Sequence, residues 1–341
     1  MQKIWVENLI AWFDNHQRDL PWRATKTNKV APWQVWVSEV MLQQTTVATV
    51  YERYIEFMER WPSFEKLAQA SEDDILHFWQ GLGYYSRARN LYKGIQYIKD
   101  KNSGKLPQSF GELKKVSGIG DYTAAAIASI AFNQKEAAID GNVARLLARF
   151  WLMDEVGEKL KVIQRKKLKS YIPKKAGDFT QALIELGALI CRPNNPQCEK
   201  CPIKTSCKAY LHGKVISYPK KSQKKEKEIR YGRFYLIKDT KNQLLFWRRG
   251  DKGLLASLYV LPSNNWYKDE SIDIENLIEN IEDKREHLFD YKHIFTHIEL
   301  RVSVYRLQLK SEIPRWNNAY WLKLEDIKNI ALPTVIKKAL S

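Results

Sequence analysis

Four cysteines, two carboxylates and one glycine-rich turn are the residues of this chain whose types and spacing could do chemistry. Cys191, Cys198, Cys201 and Cys207 are all the cysteines present, spaced C-x6-C-x2-C-x5-C. A disulfide-stapled secreted chain would scatter its cysteines, so one tight cluster points to a metal. Four thiolates suit tetrahedral zinc or a four-iron cluster. Zinc loops more often pair two C-x2-C knuckles, and the single knuckle with unequal outer gaps favours iron–sulfur on spacing alone. The carboxylates are Glu39 and Asp140. Glu39 sits in the apolar run Trp36-Val-Ser-Glu-Val-Met-Leu42, where burial would raise its pKa and keep it protonated near neutral pH. Asp140 opens Asp-Gly-Asn-Val at the expected start of a helix, where an anion is favoured. Breaking a glycosidic bond needs an acid for the leaving group and an anion beside the sugar cation. Taken alone, Asp140 reads as an N-cap and Glu39 as an exposed helix residue.

The glycine-rich turn is Val116-Ser-Gly-Ile-Gly-Asp-Tyr-Thr-Ala-Ala-Ala-Ile127. Gly118 and Gly120 stand immediately before an Ala-rich helix, and their N–H groups with the helix N-terminus would make an anion seat. The bland alternative is an ordinary corner between helices.

The elements that must position these groups fall into two regions. From Trp5 to about Leu211 apolar residues recur near a 3.6 period, as in Val35, Trp36, Val40, Met41, Val47 and Val50. Phe179, Ala182, Leu183, Leu186, Leu189 and Ile190 form another such face. Glycines and prolines interrupt these runs, predicting an all-α domain, residues 1–213, of about ten short helices. Residues 214–230 read as a charged linker, nearly free of apolar side chains from Pro219 to Arg230. Residues 231–341 read as a smaller α+β domain. Strands are expected at Tyr231–Ile237, Gln243–Arg248, Phe295–Gln308 and Ala319–Leu324, with helical segments near Ile274–Asn280 and Leu332–Leu340.

Composition narrows the partner. Lys plus Arg number 56 against 39 Asp plus Glu, a net charge of +17 that calls for a polyanion, either nucleic acid or an anionic membrane face. The longest small-and-apolar stretch, Tyr122 to Phe132, is far short of a membrane span. Twelve Trp, seventeen Tyr and twelve Phe exclude a disordered basic tail and could stack on bases or wedge between them. The acidic Glu7 and Asp14 follow no charged-then-apolar leader, so secretion is not expected. A bacterial cytoplasm, with the protein associated with the nucleoid, is the expected location.

Several of these segments together resemble one family. Followed by Ile139-Asp-Gly-Asn-Val-Ala-Arg145, the glycine turn resembles the helix-hairpin-helix of DNA glycosylases. Pro32-Trp-Gln-Val-Trp-Val-Ser-Glu-Val-Met-Leu-Gln-Gln-Thr45 is similar to the signature of the MutY adenine glycosylases. Gly81-Leu-Gly-Tyr-Tyr-Ser-Arg-Ala-Arg-Asn90, the hairpin, Asp140-Gly-Asn-Val143 and the cysteine loop follow in that family's order, covering Trp12 to Leu211. The resemblance implies one [4Fe-4S] cluster on the four cysteines, a base-flipping mechanism and double-stranded DNA carrying A:8-oxoguanine or A:G as partner, with the protein a monomer. It implies that Glu39 protonates adenine N7 and then activates water, that Asp140 stabilises the sugar cation, and that Asn142 helps position sugar or water. Tyr122 occupies the hairpin position where endonuclease III enzymes carry a Schiff-base lysine; a phenol has no amine, so base removal without efficient strand cleavage is expected. By the same resemblance Gln44, Leu82 and Tyr84 are wedges around the estranged base, and Arg18, Trp22, Arg23, Leu42, Val47 and Glu185 line the adenine pocket. Read without it, Trp22, Leu42, Val47 and Leu82 are core residues.

Gly253-Leu-Leu-Ala-Ser-Leu-Tyr-Val-Leu-Pro262 resembles, more loosely, an element of the family's Nudix-like C-terminal domain, which reads 8-oxoguanine. There is no glutamate-rich Nudix box to seat Mg²⁺, so diphosphate hydrolysis is not expected. His293-Ile-Phe-Thr-His-Ile298 corresponds to the family's Phe-Ser-His loop, implying DNA contacts from Phe295, Thr296 and His297; its plain alternative is an ordinary strand. Two other functions fit parts of the pattern. One is a glycosylase/lyase for oxidised pyrimidines, against which Tyr122 and Glu39 argue. The other is a catalytically silent iron–sulfur DNA sensor, which leaves the two carboxylate segments without a purpose.

Overall fold

Several helices start where the sequence supplies a capping oxygen. Thr46 accepts from Thr49 N ahead of Val47–Arg60, Ser109 from Glu112 N ahead of Phe110–Leu113, and Asp140 from Val143 N ahead of Gly141–Trp151. The computed structural model describes residues 4–25, 28–220, 226–264, 266–267, 285–308 and 318–341. Among these, twelve α-helices occupy residues 4–211. The excess over about ten comes from single turns such as Phe64–Leu67 and Lys208–Leu211, too short to display a period. No helix among the described residues is long and apolar enough to cross a membrane.

By their contacts the residues divide into two units: Met1–Gln69 with Asn90–Gln223, and Ala70–Arg89 with Lys224–Ser341. In the first, Trp5, Leu9 and Phe13 of helix Ile4–His16 bury against Phe150 of Gly141–Trp151 and Phe179, Leu183 and Leu186 of Ala176–Leu189. The same cluster reaches Ile203 and the sides of Cys191, Cys201 and Cys207, so the cysteine loop caps the core. Gly118 takes φ +79°, and a Cβ there would lie 2.8 Å from Asn90 Cβ, so the hairpin turn requires glycine on both counts. Residues 214–220 continue the first unit rather than floating free. Lys214 N donates to Ala209 O at 2.7 Å and Arg149 Nε to Tyr218 O at 2.9 Å.

The second unit is built on a mixed sheet of β1 (Glu228–Lys238), β2 (Leu244–Arg248), β3 (Tyr259–Val260), β4 (Glu286–Ile294), β5 (Ile298–Gln308) and β6 (Ala319–Leu322). Its order is β3-β2-β1-β5-β4, with β6 also on β2; β1 and β5 run parallel from Glu228↔Ile298 to Lys238↔Gln308. Helix Thr334–Leu340 packs Val335, Ile336 and Ala339 against Phe234, Phe246, Val302 and Val304. The segment Ala70–Arg89 counts with this unit through His77, Gln80 and Tyr85, which hydrogen-bond the carbonyls of Lys328, Ile330 and Leu332 at 3.1, 3.0 and 3.2 Å. The sequence reading missed the two-residue β3 and the edge strand β4, whose alternation is broken by a bulge between His287 and Phe289, and merged Phe295–His297 into β5. Those three residues form the turn between β4 and β5. The helix expected at Ile274–Asn280 lies outside the described residues.

Candidate active site

Glu39 is carried by helix Pro32–Leu42, whose residues from Val35 to Met41 are all buried. A helix apolar all round belongs inside, and its one carboxyl is therefore taken in with it. Glu39 is 7% exposed. Burial pushes its carboxyl up to about 7, a hydrogen bond with Tyr122 pulls it down, and the nearby Asp140 charge adds to the rise. Tyr122 stands in the first turn of Asp121–Ile130. Burial and the neighbouring Glu39 and Asp140 hold its phenol well above the ordinary range, so it stays a neutral donor.

Asp140 is the N-cap its sequence position suggests and faces the same space. Oδ1 accepts from Val143 N at 2.6 Å and Oδ2 from Asn142 Nδ2 at 3.2 Å. Burial raises its carboxyl while these two hydrogen bonds oppose the rise. Arg145 Nη2 donates to Asn142 Oδ1 at 2.9 Å, which turns the Asn142 amide nitrogen toward Asp140. Next to them lies a buried ion group. Glu185, 1% exposed, takes Arg18 Nε at 2.9 Å and Arg23 Nη2 at 2.7 Å. Arg23 Nε also donates to Gln181 Oε1 at 3.0 Å. Trp22 packs edge-on against Tyr54, with ring centroids 5.3 Å apart.

One cleft of about 970 Å3 gathers these groups. Glu39, Tyr122, Asp140 and Asn142 line it, as do Arg18, Trp22, Arg23, Leu42, Val47 and Glu185, with Gln44, Gly118 and Gly120 around them. Gln44 is exposed at φ +56°, an uncommon conformation for a residue other than glycine. Gln43 and Gln181 also line the cleft and were missed in the sequence. Gln181 could have been found one helical turn before Glu185, on the same face. Gln43 Nε2 donates to Thr123 Oγ1 at 3.1 Å, a pairing no local pattern reveals.

The remaining expected contact residues belong to the second unit. Tyr84, Phe295, Thr296 and His297 line a cavity of about 570 Å3 there, together with Gly253–Ala256 and Leu258. The Tyr84 and Thr296 hydroxyls are 3.3 Å apart, and Phe295 stacks on Trp266 at 6.0 Å. Leu82 is buried, 4% exposed, between the positive-φ glycines Gly81 and Gly83, and lines neither space.

The four cysteines are unbridged thiols around one small cavity of about 20 Å3. Arg149 reaches it, with Nη1 3.4 Å from Cys191 Sγ. Among the described residues no three His, Cys, Asp or Glu side chains stand close enough to hold a single metal ion. Four thiol donors on one loop are the ligand set that a tetrahedral metal or a four-iron cluster takes.

Two family models match the chain. Residues 37–174 match the HhH-GPD superfamily of base excision DNA repair proteins, and residues 233–341 match the NUDIX domain. An adenine DNA glycosylase of Buchnera aphidicola subsp. Baizongia pistaciae is 33% identical over 99% of this chain and 96% of its own length. The Homo sapiens adenine DNA glycosylase is 32% identical over 97% of this chain and 72% of its own. A thermostable thymine-DNA glycosylase structure superposes with a TM-score of 0.56 at 26% identity, covering 62% of this chain and 97% of that one.

Proposed function

The chain belongs to the adenine DNA glycosylases, hydrolases of N-glycosyl bonds in the helix-hairpin-helix superfamily, and from that premise we propose that it removes adenine mispaired with 8-oxoguanine or guanine in double-stranded DNA. The observation that carries this reading is Glu39, an acid buried in the cleft with its pKa lifted to about 7 and Asp140 facing the same space. At neutral pH about half of such a group holds its proton, the state a general acid needs.

Adenine turned out of the stack would enter the cleft, where Glu185 with its two arginines offers both acceptors and donors to the base edge. Protonated Glu39 donates its proton to adenine N7, and the C1′–N9 bond breaks with its electron pair leaving on the base. The sugar is left as an oxocarbenium ion beside the Asp140 carboxylate. Glu39, now a carboxylate, takes a proton from a water molecule whose oxygen bonds to C1′, which restores the acid. Tyr122 holds Glu39 by hydrogen bond and offers no amine, so strand cleavage through a Schiff base has no nucleophile at that position. Asn142, held by Arg145, orients sugar or water. The Tyr84–Thr296 cavity is assigned to reading the base opposite the adenine. Cys191, Cys198, Cys201 and Cys207 would hold a [4Fe-4S] cluster, which when bound ties the loop together through thiolate–iron bonds.

Single-turnover excision tests this, on duplexes carrying A opposite 8-oxoguanine, A opposite G, and thymine glycol opposite A, each read with and without alkali. Adenine release that becomes a strand break only after alkali is expected. Cleavage at thymine glycol without alkali would move the chain to lyase chemistry, and binding without excision would leave a silent sensor. Iron and acid-labile sulfide in the purified protein test the cluster.

A further inference from the structure

Both oxygens of the Asp121 carboxylate are held by cations from different elements. Lys114 Nζ lies 2.6 Å from Oδ1 and Arg165 Nη1 lies 2.7 Å from Oδ2. Lys114 follows Phe110–Leu113 on the near side of the glycine turn, and Arg165 comes from Gly157–Leu168. Asp121 and Arg165 line the cleft beside Gly118 and Gly120. Lys161 lines it too, and is likewise held by an acid, Glu158, at 2.7 Å.

Two features make this arrangement odd as a purely structural one. The Asp121 and Lys114 side chains are 46% and 45% exposed, and pairs that open to water contribute little to stability. Asp121 also places a negative charge on the rim of a cleft in a chain of net charge +17. A guanidinium carries five N–H donors, and a phosphate offers them more oxygens than the Asp121 carboxylate does.

We infer that Lys114 and Arg165 contact one phosphate of the DNA backbone, and that Asp121 is its internal stand-in, occupying the two cations until the duplex displaces it. The inference rests on the proposed function for its ligand, double-stranded DNA. Displacement costs little at Lys114, because that side chain and Asp121 both stand open to water and the pair between them is weak. The stand-in makes loose association with duplex weaker and holds the two cations in place beforehand.

Equilibrium binding of the full chain to a short undamaged duplex, followed across a salt series, tests this without any base being excised. Each phosphate neutralised contributes about −0.9 to the slope of log K against log salt. Arg165→Gln and Lys114→Gln should each weaken binding and flatten the slope by up to about 0.9. Asp121→Asn should do the reverse, tightening binding several-fold and steepening the slope. A wild-type slope when Lys114→Gln and Arg165→Gln are combined, or unchanged or weaker binding in Asp121→Asn of native melting temperature, overturns the inference. If Asp121→Asn does not fold, the two cation variants still decide, since both keep the helix-starting carboxylate. Adenine excision by the same samples reports separately: salt slopes as expected without excision would sink the proposed function alone, and excision with wild-type slopes would sink this inference alone.

Discussion

Glu39→Gln separates two consequences of one buried proton. The carboxyl is 7% exposed and its pKa is raised from an ordinary 4.5 to about 7, chiefly by burial. The native state therefore keeps a proton that the unfolded chain gives up between these two values. Below about pH 4.5 both states are protonated and there is no penalty; as pH rises the native state is progressively disfavoured, and above about 7 the loss is complete. A gap of this size, at about 1.4 kcal/mol per pH unit, is worth about 3 kcal/mol. Glutamine fits the same space, keeps a hydrogen-bond partner for Tyr122 and carries no titration. Thermal unfolding of both proteins should thus give closely similar melting temperatures near pH 4.5 and a variant more stable by roughly 6–12 °C at pH 8, at about 2–4 °C per kcal/mol for a unit of this size. The same substitution removes the proton donor, so single-turnover excision should fall by about 10²–10⁴-fold, with duplex affinity nearly unchanged. A stability difference that does not change between pH 4.5 and 8 would refute the burial reasoning. Excision at the native rate would refute the mechanism.

Three further outcomes follow from the geometry. Asp140→Asn keeps a side chain that caps helices as well as aspartate does, so its unfolding free energy should stay within about 1 kcal/mol of native while excision collapses; a large loss of stability would mean the residue acts mainly as a cap. Arg23→Met strips buried Glu185 of its shorter ion pair and should destabilise by about 3 kcal/mol, and a neutral result by denaturant unfolding would mean that Arg18 alone compensates the charge. Gly94→Ala would set a Cβ 2.8 Å from the Trp36 ring and 2.9 Å from Ser117 O, and should cost about 1–3 kcal/mol by denaturant unfolding, since neither neighbour is the loose end of a flexible chain.

What could be read in the sequence was chemistry that is local. The cysteine spacing, the Gly118–Gly120 turn and the Asp140 cap depend on residues within a few positions of one another, and capping and turn rules operate at that range. The helical region and four of the six strands were legible for the same reason, since periodicity is a property of a short window. β4 was not, because none of its residues is fully buried and a bulge between His287 and Phe289 breaks the two-residue period. The grouping of Ala70–Arg89 with the C-terminal residues was also hidden, since it depends on side chains meeting carbonyls some 250 positions away.

The proton affinity of Glu39 belongs to the tertiary structure alone. An acid in an apolar run could be an exposed helix residue or a buried one, and the chain's own order does not choose. The choice is made by helix Pro32–Leu42 being enclosed on every side, by Tyr122 arriving from a helix begun 82 positions later, and by Asp140 facing the same cleft. Likewise, a single acid at Asp121 is unremarked in sequence and becomes a pin for two cations only when Gly157–Leu168 folds against the hairpin. The sequence determined which chemical groups the protein possesses, through residue type and short-range spacing. Their charge state and their partners were decided by packing, because desolvation and Coulomb interaction depend on distance through space rather than along the chain.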